Sequence, residues 1–107
     1  MSEPFHVTDA NFDETLKKNK LALIDFWANW CGPCRALAPT IVEIAKECNG
    51  QFLVGKLDVD ENPAVAERFQ VMSIPTLIVF KDGKEAERLV GVCPKNRITD
   101  TLKKHQV

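Results

Sequence analysis

A chain of 107 residues, 45% apolar and 27% charged, is the size of a single domain (residues 1–107) with one ordinary hydrophobic core. Its 14 Lys and Arg against 15 Asp and Glu leave a net charge of −1, so there is no basic stripe to neutralise phosphates and a nucleic-acid role is disfavoured. The longest apolar runs fall far short of the roughly 20 residues that span a bilayer. The opening Met1-Ser2-Glu3-Pro4 has no charged segment leading into an apolar one, so no secretory signal is visible. The expectation is a cytoplasmic protein with no membrane partner. In that reducing setting the 4 cysteines read as chemistry and core packing, not as a disulfide framework.

Along the chain, Thr8 or Asp9 is placed to cap a first helix over roughly residues 9–18. Leu21 to Ala28 is nearly all apolar, as a strand buried on both faces would be. From Cys34 to Cys48, Leu37, Ile41, Ile44 and Cys48 recur at helical spacing, with Pro39 inside the helix and expected to bend it. Phe52 to Val59 reads as another strand. Asn62-Pro63 looks like an N-cap followed by a first-turn proline, opening a short helix to about Phe69. Thr76 to Phe80 and Glu85 to Val90 form a hairpin about the turn Asp82-Gly83. The second of these strands carries the mixed polar face of a sheet edge. Pro94 to about His105 is a last helix with Ile98 and Leu102 facing inward. The order β-α-β-α-β-α-β-β-α predicts a mixed sheet of about five strands, parallel early and antiparallel late, between helices on both faces: a three-layer α/β/α domain.

Cys31 and Cys34 stand three residues apart between the buried strand and a helix start. The free amides and positive dipole end of a helix favour negative charge there, and the thiolate is the reactive form of cysteine. Cys31 is therefore expected at the exposed edge as a stabilised thiolate, with Cys34 deeper and less reactive. Gly32-Pro33 restricts the loop while allowing a tight turn. This arrangement permits a two-step exchange: Cys31 attacks a substrate disulfide, then Cys34 attacks Cys31 and releases the reduced substrate. Zinc sites use the same spacing but need four ligands. Cys48 and Cys93 make no second such pair, and His6 and His105 lie at opposite ends of the chain, so no metal is expected. A Cys-x-x-Cys in a βαβ setting points to a redox dithiol.

The segment Phe26-Trp27-Ala28-Asn29-Trp30-Cys31-Gly32-Pro33-Cys34-Arg35 resembles the active-site segment of the thioredoxin family. So do Asp25, Lys56-Leu57-Asp58, Ile74-Pro75-Thr76, Lys81-Asp82-Gly83 and Val90-Gly91, in the family's order and at about its spacing. Arg35 stands where lysine is more usual and keeps the cation; Asn29 occupies a variable position. The resemblance implies the thioredoxin fold and a general protein-disulfide reductase. It implies no bound cofactor, disulfide-containing protein substrates, re-reduction by a thioredoxin reductase, and a monomer. An oxidase or isomerase, and a redox-inactive binding scaffold on the same fold, are the alternatives.

Asp25 is a carboxylate among apolar neighbours, which is costly unless it is paired or protonated, and burial raises its pKa. It is either a strand residue facing a polar gap or, as the resemblance implies, the proton acceptor for Cys34. Lys56 is then in reach to tune its titration, or is simply solvated. Pro75 reads as an ordinary turn proline; the resemblance implies a cis bond opposite the dithiol, turning the Ile74 backbone outward so that a substrate segment can pair with it. Trp30 reads either as packing or, by resemblance, as part of an apolar collar with Val59, Ile74, Pro75, Val90, Gly91 and Val92. In that collar Gly91 lets a substrate backbone come close; Trp27 packs behind the site. Cys48, on an apolar helix stripe, reads as core, and Cys93 as either a passive loop residue or an auxiliary thiol.

Overall fold

The computed structural model describes residues 3–106. In chain order the elements are β1 (Phe5–His6), α1 (Phe12–Lys18), β2 (Leu21–Trp27), α2 (Gly32–Glu47), β3 (Leu53–Asp58), α3 (Pro63–Arg68), β4 (Thr76–Lys81), β5 (Lys84–Val90) and α4 (Lys95–Lys104). The strands form one five-stranded sheet in the order β1-β3-β2-β4-β5. β1, β3 and β2 run parallel, and β4 and β5 antiparallel.

The period-two alternation of the central strands sorts the apolar residues into two cores. Leu21 and Leu23 of β2, with Leu77 and Val79 of β4, meet Leu37, Ile41 and Ile44 of α2 and Ile98 and Leu102 of α4. Ala22, Ile24 and Phe26, with Ile78 and Phe80, meet Phe12 and Leu16 of α1 and Val65 and Ala66 of α3. The expected three layers are present, and β2 is buried along its length up to Trp27. Because side chains alternate, Asp25 falls on the side that α2 covers. At the hairpin, Asp82 and Gly83 both have positive φ, 52° and 81°, the backbone of a type I′ turn. A bulge at Val79/Phe80 shifts the β4–β5 register.

Several boundaries differ from the sequence reading. α2 begins at Gly32 rather than Cys34, because Cys31 itself caps it. β5 begins at Lys84 rather than Glu85. α1 begins at Phe12, and neither Thr8 nor Asp9 caps it. Thr8 and Asn11 instead bond each other reciprocally: Thr8 N–H donates to Asn11 Oδ1 at 2.7 Å, and Asn11 N–H to Thr8 Oγ1 at 3.1 Å. Asp9 caps a different helix. Its carboxylate accepts from the N–H groups of Ala64 (3.1 Å) and Val65 (2.9 Å) at the start of α3. Asn62 holds the N-cap position of α3 without a side-chain cap; its Oδ1 accepts from Asp9 N–H at 2.9 Å instead. The chain before α1 is thus tied to α3 by an exchange of hydrogen bonds. Asp9→Ala is expected to cost about 1 kcal/mol, the usual worth of a helix cap, in urea unfolding at neutral pH, with α1 otherwise intact.

Candidate active site

β2, the central strand, ends at Trp27, and α2 starts five residues later. Cys31 occupies the N-cap of α2 with extended backbone, φ −87° and ψ 108°. Where a cap usually offers oxygen, this one offers sulfur: Cys31 Sγ accepts from the Cys34 N–H at 3.1 Å. The first turn carries no acidic side chain, so the sulfur alone answers the helix's positive end there. Cys31 and Cys34 are joined as a disulfide with Cα atoms 5.2 Å apart, inside the span such a bond requires. The Arg35 guanidinium donates to Asn29 O at 2.7 Å, fastening the cation to the loop before the cysteines.

In exposure the two cysteines do not differ as the sequence suggested. Each is 3% exposed. Cys31 is covered because its sulfur is bonded inward to Cys34 and lies 3.8 Å from the Ile74 carbonyl oxygen. What separates the two is bonding: Cys31 is the sulfur that faces both the helix amide and the Ile74 backbone.

The Ile74–Pro75 peptide bond is cis, and Pro75 is buried while Ile74 is half-buried. Gly91 N–H donates to Pro75 O at 2.8 Å, and Gly91 has φ +88°, a conformation that a side chain would strain. This bond brings the end of β5 beside the proline. Val90 and Val92 are exposed on either side of Gly91. Trp30 is 68% exposed, its Nε1–H donating to Asp60 Oδ2 at 2.8 Å. Val59, next to Asp60, is half-buried, and its N–H donates to Trp27 O at 2.9 Å. Gly32 and Pro33 are exposed on the first turn of α2. Two further residues join this surface that the sequence did not single out. Asp60 fixes the indole across 30 residues of chain, which no local pattern signals. Met72 is 91% exposed on the loop leading to Ile74, an exposure that nothing in the sequence signals.

The thioredoxin family model matches residues 3–104. A thioredoxin of Staphylococcus haemolyticus (strain JCSC1435) is 52% identical over 99 residues, 92% of this chain and 94% of the relative. One of Staphylococcus aureus (strain Mu50) is 50% identical over the same shares of both chains. Among solved structures, a mutant thioredoxin from Halobacterium salinarum NRC-1 superposes with a TM-score of 0.91 at 34% identity, covering 99% of this chain and 93% of that one.

The chain belongs to the thioredoxin family. It has the thioredoxin fold, and its function is that of a protein-disulfide reductase with a redox-active Cys-Gly-Pro-Cys pair.

On the α2-covered side of β2 in this thioredoxin, Asp25 is 1% exposed, and neither carboxylate oxygen has a hydrogen-bond partner among the described residues. Burial pushes its pKa up to about 7, against a smaller opposing pull from the Lys56 charge. Lys56 stands directly opposite Asp25 across β2 and β3, yet its ammonium sits 4.2 Å above the Trp27 ring. The other cysteines, Cys48 and Cys93, are free thiols, each half-buried. The Cys48 thiol is directed at Ala45 O (3.2 Å) and Phe52 O (3.5 Å). Cys93 packs against the α2–α4 core, where burial pushes its thiol up more than Arg97 pulls it down. Among the described residues no group of three or more His, Cys, Asp or Glu is arranged to hold a metal, and no helix is long and apolar enough to cross a membrane.

The Asp25 shift fixes a pH dependence of stability. The unfolded carboxyl titrates at 3.8 and the folded one near 7. Between these values the folded chain keeps a proton that the unfolded chain has lost, so stability falls as pH rises through that window. Below it the group is neutral in both states and contributes nothing to the slope. At about 1.4 kcal/mol per pKa unit the loss is at most roughly 4 kcal/mol by pH 8. Asp25→Ala is expected to remove this slope: urea unfolding of the disulfide form places the variant's largest gain over the parent at pH 8, shrinking toward pH 4.

Proposed function

We propose that Cys31 is the nucleophile of this reductase, Cys34 the resolving thiol, Asp25 the proton acceptor and Lys56 the charge that tunes it. In the reduced protein the Cys31 thiolate attacks one sulfur of a substrate disulfide. A mixed disulfide forms and the substrate's other sulfur leaves as a thiolate that takes a proton from solvent. Cys34 then gives its proton to Asp25, directly or through a water, and attacks Cys31 Sγ. The mixed disulfide breaks, the Cys31–Cys34 disulfide forms, and the second substrate sulfur leaves. Two electrons have moved from the dithiol to the substrate. The observation that carries this assignment is the 3.1 Å hydrogen bond from the Cys34 amide to Cys31 Sγ. A thiolate at that point gains a charge-assisted bond and the helix field together, which is the environment of a low-pKa cysteine.

Trp30, Gly32, Pro33, Val59, Ile74, Pro75, Gly91 and Val92 form the docking face for an extended segment of substrate. Its backbone pairs with that of Ile74, and the valines and Trp30 cover its apolar side chains. The partners are disulfide-containing proteins and a thioredoxin reductase that restores the dithiol. The protein acts in the cytoplasm, as a monomer, with no bound cofactor.

Insulin reduction followed by turbidity, with dithiothreitol as electron source, tests the assignment. The parent is expected to accelerate precipitation well above the dithiothreitol baseline, and Cys31→Ser to return it to that baseline. Cys34→Ser is expected to accumulate a mixed disulfide with insulin, visible by mass spectrometry without added reductant. Absence of any adduct from that variant contradicts the two roles.

A further inference from the structure

Two groups on β2 and β3 stand in an unusual relation: a buried carboxylate with no donor among the described residues, and an ammonium directly across the strand pair that does not bond it. The ammonium lies 4.2 Å from the centroid of the Trp27 ring, within the range of a cation–π contact. Trp27 and Asp25 are two residues apart on β2 and therefore share a sheet face. Ring and carboxylate compete for one cation. We propose that Trp27 is a positioning residue for the proton chemistry of this site: its indole face holds the Lys56 ammonium off Asp25, so that the carboxylate is not locked in an ion pair and keeps the affinity it needs to take up a proton from the dithiol.

The surroundings of Asp25 leave Lys56 as the group able to do this. On β3 the neighbours at its level are Lys56 and, opposite Trp27, Asp58. β1 places His6 opposite Lys56, at the exposed sheet edge and one strand further from Asp25. β4 places Leu77 opposite Asp25, and β5 places Leu89 beyond it, neither of which ionises. α2 contributes the Cys31–Cys34 disulfide, while Arg35 is turned away to Asn29 O. An opposite charge brought within about 4–6 Å of a carboxyl lowers its pKa by about 1–3 units, so releasing Lys56 from the ring is a large perturbation. The ring also gives the cation a resting place while Asp25 is neutral and holds the proton taken from Cys34, until that proton passes to solvent.

The inference deepens the proton-acceptor reading of Asp25 but is tested apart from it, by following the Asp25 side-chain carboxyl 13C shift against pH in the disulfide form. That titration reads ionisation whether or not Asp25 takes part in turnover. Trp27→Leu is expected to lower the Asp25 midpoint by about one unit or more, and Trp27→Phe, which keeps a π face, to restore most of it. Removing the indole also admits water, which lowers the midpoint without Lys56, so the same substitution is made in Lys56→Gln. There Trp27→Leu is expected to lower the midpoint only by what the admitted water contributes, clearly less than where Lys56 is present. A midpoint that stays put in Trp27→Leu, or falls equally with and without Lys56, overturns the proposal. If Trp27→Leu does not fold, Trp27→Phe and Trp27→Tyr in both Lys56 backgrounds carry the comparison: a midpoint that responds to the ring only when Lys56 is present supports the proposal, and one indifferent to Lys56 overturns it. If the titrations behave as expected while Asp25→Asn resolves mixed disulfides at the parental rate, it is the proton-acceptor role that fails and not the placement of Lys56.

Discussion

The site depends on a sulfur acting as a helix cap. Every α-helix begins with amides that have no partner inside the helix, and most sequences meet the need with Ser, Thr, Asp or Asn. In α2 the N-cap is Cys31, the next two residues are Gly32 and Pro33, and no carboxylate stands in the first turn. Proline at that position withholds one of the amides that need satisfying. A sulfur is a poor acceptor when neutral or in a disulfide and a good one as a thiolate. The helix start is therefore better satisfied when the disulfide opens and Cys31 ionises. The local structure favours the reactive state of the cysteine, and does so with backbone groups that cannot be titrated away.

The rest of the fold places costly groups around that cap and holds them. β2 is buried on both faces and carries one carboxylate, Asp25, at a position where a leucine would satisfy the pattern of Leu21 and Leu23. A donor-less buried carboxyl destabilises the fold wherever it is ionised, and the two apolar cores on either side of the sheet must offset that cost. Local rules tend to be broken at sites of function. Here the break gives a group that can hold or accept a proton near neutral pH, which is the range in which thiols exchange.

Most of the fold was legible because most of its signals are local. The continuous apolar run of β2, the helical spacing of Leu37, Ile41 and Ile44, and the Asp82-Gly83 turn each fix an element within a few residues of sequence. What was not legible depends on contacts between distant parts of the chain. Asp9 reads as a cap for the helix that follows it but caps α3, 55 and 56 residues on. β1 is expected in the element order but could not be placed on residues, since it is two exposed residues with no period to detect, held because β3 offers it an edge. The cysteine pair and the carboxylate were visible as residue types, whereas the equal burial of the two sulfurs was not, since it depends on the loop carrying Ile74, 43 residues away. The Trp27–Lys56 and Trp30–Asp60 contacts belong to the same class.

The surface around the sulfurs has its own physical logic. Its side chains, Trp30, Met72, Val90 and Val92, are exposed and apolar, and the polar groups nearest to them are already engaged: Asp60 by the indole, the Gly91 amide by Pro75 and the Arg35 guanidinium by Asn29. A face of this kind has few free hydrogen bonds with which to select a sequence. It offers apolar area and the backbone of one residue, Ile74. Those interactions depend little on which side chains a partner carries and strongly on whether it can present an extended segment with an accessible disulfide. Given the proposed docking face and nucleophile, breadth of substrate follows from that, and selection falls to the one event that needs close alignment of three sulfurs, the proposed attack by Cys31.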